Sequence, residues 1–77
     1  MTEAIHVVFP DGLAVLLSRD EARRVIEELW RQSLRSGACV AASNLMYAVS
    51  GGTARRIVTV GAREVESLRE ALRATGL

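Results

Sequence analysis

The sequence predicts a small α/β (α+β) fold: a three-stranded mixed sheet with an N-terminal β-hairpin, packed against three helices, in the order ββααβα. Three observations carry this expectation. Ala4–Phe9 alternates and runs into a turn. A strand-cap-helix unit occurs twice. Between its two copies lies Ser36–Ala54, a stretch without a charged residue. In the repeated unit, Ser18 aligns with Gly61, Glu21 with Glu64, Val25 with Leu68 and Leu29 with Leu72.

The first strand covers Ala4–Phe9. Ile5, Val7 and Phe9 point one way, and His6 and Val8 the other. Phe9-Pro10-Asp11-Gly12-Leu13 is a hairpin turn. Proline presets φ, aspartate suits the next position, and glycine accepts the left-handed conformation that follows. Leu13–Leu17 is the return strand. Both of its faces are apolar, which predicts cover on both sides.

Ser18-Arg19-Asp20-Glu21 reads as a capping box that opens the first helix. Ala22, Val25, Ile26, Leu29 and Trp30 form its apolar stripe. Gly37 is the expected stop. Ala38–Val49 is read as a second helix, apolar nearly all round and therefore buried in the fold or in an interface, with Gly51-Gly52 ending it. Arg55-Arg56 leads into the third strand, Ile57–Val60. The last helix runs from about Ala62 to Thr75 with Gly61 as its cap. It turns Val65, Leu68 and Leu72 inward, and Gly76-Leu77 forms its stop.

The connection to the third strand is long and helical. It allows that strand to lie parallel to the second or antiparallel to the first. Three helices on one face of the sheet is the simplest packing. It leaves His6, Val8, Ala14, Leu16 and half of the third strand on an open face too apolar for water alone.

The 77 residues read as one complete domain, 1–77, with a marginal core. A single cysteine excludes an internal disulfide, which leaves a partner subunit as the expected source of added stability. The net charge of +1 creates no global field toward nucleic acid or membrane. No apolar run reaches the ~18 residues of a membrane span. The start Met-Thr-Glu-Ala lacks a basic n-region, so the expected location is cytoplasmic.

No residue set indicates catalysis, a cofactor or a metal. Cys39 sits among small apolar residues and reads as a buried structural thiol. His6, the only histidine, reads as a half-exposed or interface residue. The acidic residues Glu27, Glu28, Glu64, Glu66 and Glu70 read as ordinary surface charge. All ten basic residues are arginine, interleaved with acids. Ser50–Arg56 has glycines for a phosphate loop, but they follow a helix and precede a strand, the reverse of the usual order.

The function expected is therefore non-catalytic: a small interaction or accessory domain that forms a homo-oligomer, most simply a dimer, and that also meets another protein. The interface candidates are His6, Val8, Leu16, Trp30, Met46 and Tyr47. The alternative is an arginine-based nucleic-acid-binding regulator contacting its ligand through Arg55 and Arg56, with Arg31, Arg35 and Arg73 nearby. Few aromatic residues and an uncharged second helix weigh against that alternative.

Overall fold

A computed structural model describes residues 4–32, 36–50 and 56–76. The elements are β1 (Ile5–Val8), β2 (Ala14–Leu17), α1 (Arg19–Arg31), α2 (Ser36–Ser50), β3 (Ile57–Thr59) and α3 (Val65–Ala74). This is the ββααβα order, with a mixed three-stranded sheet opened by a hairpin and packed against three helices.

The hairpin follows from its turn chemistry. The Gly12 amide donates to the Phe9 carbonyl at 2.9 Å, and the Phe9 amide to Leu13 at 2.8 Å. The Asp11 carboxylate accepts from the Leu13 amide at 3.0 Å. Gly12 takes a φ of 91°, where a side chain is strained. Ile5 then pairs with Leu17 and Val7 with Val15 in antiparallel register.

The third strand lies in neither of the two positions expected from sequence. The sheet order is β2-β1-β3, and β3 runs parallel to β1. The reason lies in the connection. A single crossover helix returns the chain to the starting end of a strand and gives a parallel neighbour. Here the connection holds two packed helices that run out and back: one groove brings Arg23, in the first half of α1, together with Ser50 at the end of α2, and Trp30, near the end of α1, together with the earlier Met46. The second helix returns the chain to the end where β2 finished, so β3 runs opposite to β2 and along β1.

The core is one cluster. Ile5, Val7, Phe9, Leu17, Val58 and Val60 from the sheet meet Ala22, Val25, Ile26 and Leu29 of α1, a row of small residues with Leu45 of α2, and Leu68, Ala71 and Leu72 of α3. All three helices therefore cover one sheet face. β2 is an edge strand with Ala14 and Leu16 exposed, which corrects the expectation of cover on both sides. Arg69 of α3 lies 5.7 Å from the Phe9 ring centroid and 3.8 Å from the Asp11 carboxylate, tying α3 to the hairpin tip.

The doubled unit has a shared capping device. The Ser18 hydroxyl accepts from the Glu21 amide at 3.1 Å, and the Glu21 carboxylate accepts from the Ser18 amide at 2.8 Å. In the second copy, the Glu64 carboxylate accepts from the Gly61 amide at 3.3 Å. Glycine has no hydroxyl to complete the box. Residues 61–64 form a turn instead, and α3 starts only at Val65, with Glu64 rather than Gly61 at the cap position.

Gly37 is not the stop of α1. Gln32 caps that helix, and Gln32 Nε2 donates to the Ser67 carbonyl of α3 at 3.2 Å. Gly37 lies in the first turn of α2, buried, where an added Cβ would collide with the Arg63 carbonyl. The glycine permits α2 to cross the backbone that precedes α3. At the other end of the chain, Gly76 adopts a φ of 80° and its amide donates to Arg73, as expected of a helix stop. Gly51, Gly52 and Leu77, the other expected stop residues, lie outside the described residues.

Three substitutions test this packing. Helix propensity alone favours alanine over glycine by about 1 kcal/mol, but Gly37→Ala is expected to destabilise by about 2 kcal/mol because the collision is with backbone. Gly12→Ala is expected to cost about 1–2 kcal/mol through its positive φ alone, since nothing lies within 4 Å of the new Cβ. Urea unfolding midpoints measure both, and a stabilised Gly37→Ala variant would refute the close crossing. Ser18→Ala is expected to cost about 1 kcal/mol by opening the capping box, read as a lowered unfolding midpoint with an unchanged slope.

Candidate functional site

The sheet face opposite the helices has no covering element among the described residues. Register places its residues in two rows. Leu16, His6 and Ile57 lie side by side across β2, β1 and β3, and Ala14, Val8 and Thr59 form the next row. Leu16 is 59% exposed and Ile57 69%. His6, Ala14 and Thr59 are exposed, and Val8 is half-buried. None of the six carries a fixed charge, although a quarter of the chain is charged. The same alternation that turns Ile5, Val7 and Val58 into the core turns these six outward.

The six interface candidates fall on three surfaces. His6, Val8 and Leu16 share the open sheet face. Trp30 and Met46 meet in a groove of about 420 Å³ between α1 and α2, floored by Ile26 and Val49 and flanked by Arg23, Glu27 and Ser50. Tyr47 lies on the other flank of α2. There Asn44, Tyr47 and Ala48 face Ile57, Val58 and Thr59 across a cleft of about 190 Å³. The alternation identified half of β3 as open-face without naming Ile57 and Thr59. Their part becomes visible only once the β1–β3 register is known.

α2 is less enclosed than its composition predicts. Ala38, Ala41, Ala42, Leu45 and Ala48 are buried, but Val40, Met46 and Tyr47 are about half exposed. Small residues line the inner face, where α1, α3 and β3 crowd the helix, and the larger ones are left outside. Cys39 is exposed, contrary to the buried structural thiol expected from its neighbours. Local composition described the helix correctly but not which side of it Cys39 occupies.

The chemistry-bearing residues are dispersed. His6 sits on the open sheet face between Leu16 and Ile57. Cys39 sits on α2, and Asp11 at the hairpin tip, where its carboxylate serves the turn and Arg69. Among the described residues, no group of three or more His, Cys, Asp or Glu side chains is placed to hold a metal ion. No helix among them is long and apolar enough to cross a membrane.

Of the two arginines proposed for anion contact, Arg55 lies outside the described residues, as does Arg35. Arg56 is half-buried, and its carbonyl accepts from the His6 amide at 2.6 Å. It has the parity of Val58 and Val60, the helix-covered face. Arg31 is engaged with Glu28 at 2.8 Å.

Comparison with family models, with curated protein sequences and with solved structures returns no match to this chain. The site is therefore read from its own geometry.

Proposed function

We propose that this chain is a non-catalytic interaction module that works as a homo-oligomer, most simply a dimer, with the open sheet face as the contact between copies. The observation that supports it is the row Leu16-His6-Ile57 on a sheet face that, among the described residues, has no helix over it and no fixed charge. A surface without charge has no repulsion against its own copy. It sets no demand for a counter-charged partner either.

Area sets the strength of such a contact. Six side chains on three short strands offer on the order of 450 Å² per copy, so two copies would bury slightly less than the roughly 1,000 Å² that marks a secure interface. The dimer is accordingly of the weak, concentration-dependent kind, suited to a module that exchanges partners rather than to an obligate assembly.

Sedimentation equilibrium over roughly 10–500 μM is expected to show reversible self-association in the micromolar range. Leu16→Glu combined with Ile57→Glu is expected to abolish it. Both side chains are more than half exposed, so the unfolding midpoint should change by no more than about 0.5 kcal/mol equivalent. A monomer throughout that range would overturn the self-association reading. Association that survives both substitutions would move the contact away from the open face. The nucleic-acid alternative makes an opposite demand: binding to random duplex DNA that weakens steeply with salt.

A further inference from the structure

We propose that the cleft between α2 and the outer edge of β3, which pairs with no other described strand, binds an extended, uncharged peptide segment of a partner protein, which joins the sheet as a fourth strand. The proposal rests on the reading of this chain as an interaction module, but not on its self-association.

The edge itself defines the occupant. β1 bonds to β3 through the Arg56 carbonyl, which accepts from His6, and through the Val60 amide, which donates to Val8. Parallel strands bond at alternate residues, so the residues between these, Ile57 and Thr59, turn their amides and carbonyls away from β1 to the free edge. Two donor–acceptor pairs two residues apart, about 6.6 Å along the strand, match another extended backbone. Sheet edges are commonly guarded by lysine, proline or a bulge. Ile57-Val58-Thr59-Val60 has none of the three.

The cleft defines the side chain. Its volume of about 190 Å³ is somewhat above the roughly 150 Å³ that holds a benzene ring. It takes one branched or aromatic side chain from the added strand, whose neighbouring side chains lie over the open face or reach solvent. All six lining residues are uncharged, and Asn44, Tyr47 and Thr59 give the walls polar atoms. An uncharged side chain fits this lining, and a carboxylate or guanidinium would lose its water without gaining a counter-charge. This is the strand-addition mode of peptide recognition, in which backbone bonds supply affinity and a pocket supplies selectivity.

A lone strand fits this edge better than a second copy of the chain. Pairing β3 with β3 of another copy would put the two strands about 4.8 Å apart. Both α2 helices flank β3 on the same side of that sheet, and packed helices require about 8–10 Å between axes.

The test uses the full chain and two capped heptapeptides, Ac-Lys-Thr-Val-Thr-Val-Thr-Lys-NH2 and its analogue with Phe in place of both valines. The control is the valine peptide with every Thr and Val amide N-methylated. Expected in ¹H–¹⁵N spectra are saturable shifts at Asn44, Tyr47, Ile57 and Thr59, with slowed hydrogen exchange of the Ile57 and Thr59 amides. The N-methylated control should bind at least about tenfold more weakly, the scale of one or two lost hydrogen bonds. Thr59→Pro removes an edge-facing amide while leaving the bonds to β1, and should weaken binding by a similar factor. If that variant does not fold, the N-methylated control decides.

The proposal is overturned by an absence of saturable shifts up to about 1 mM of either peptide, a range that covers weak peptide recognition. It is equally overturned by shifts centred on Ala14 and Leu16 of the β2 edge, by undiminished binding of the control, or by Ile57 and Thr59 protection that grows with concentration of the protein alone while the open-face residues His6 and Leu16 are unaffected. The last result would assign the edge to a second copy. A monomeric protein that binds the peptides removes the self-association reading and leaves this one intact. A dimer that binds neither peptide does the reverse.

Discussion

Everything in this fold depends on the inward face of β1. Ile5, Val7 and Phe9 lie between 0% and 4% exposed, and among the described strands β1 alone has a neighbour on each side. Its odd-numbered residues bond to β2, and its even-numbered residues His6 and Val8 bond to β3. One four-residue strand thus sets the register of both its neighbours, and with it which side chains face the helices. A one-residue slip would exchange Val7 for His6 in the core and send Ile5 and Phe9 to the open face. The burial of three large apolar side chains opposes that slip more strongly than any single hydrogen bond in the sheet.

Local chemistry was readable wherever it is decided within a few residues. The alternation of Ala4–Phe9, the Pro10-Asp11-Gly12 turn and the Ser18–Glu21 capping box each depend on neighbours in the chain, and each forms as expected. The direction of β3 was not readable in the same way. It depends on the α1–α2 pair acting as an out-and-back connection, which is a tertiary fact. Gly37 illustrates the same limit. A glycine between two helical patterns reads as a stop, but this one is required because Arg63, distant in sequence, brings its carbonyl to that point. No local pattern encodes a crossing of that kind.

The candidate site was legible in outline for a related reason. Period-two alternation identified His6, Val8, Ala14 and Leu16 as one face, and the structure places them there. The uncharged composition of α2 was a weaker guide, because two different causes produce it. Its inner face is uncharged because α1, α3 and β3 bury it, and small residues such as Ala38 and Ala42 permit that close approach. Its outer flanks are uncharged without being buried, and these carry the Trp30–Met46 groove on one side and the Tyr47 cleft on the other. Composition alone does not separate the two causes, and so does not reveal that Cys39 lies on an exposed side of the helix.

Three helices suffice to cover one side of a three-stranded sheet about 14 Å wide, and no further element among the described residues covers the other side. A sequence can offset that exposure by placing charges or polar residues outward on the strands, as single-layer antiparallel sheets do. This one instead places leucine, valine and isoleucine there, while charged residues are plentiful on the exposed faces of α1 and α3. The contrast within one molecule matters more than the exposed area itself. The water-facing surfaces of α1 and α3 are charged, whereas the sheet face, its β3 edge and the outer flanks of α2 are not. An uncharged, unguarded strand edge is an aggregation hazard unless it is regularly occupied. The distribution of charge therefore separates the α1 and α3 surfaces from the sheet face, and that contrast supports the proposal that the sheet meets protein rather than water alone.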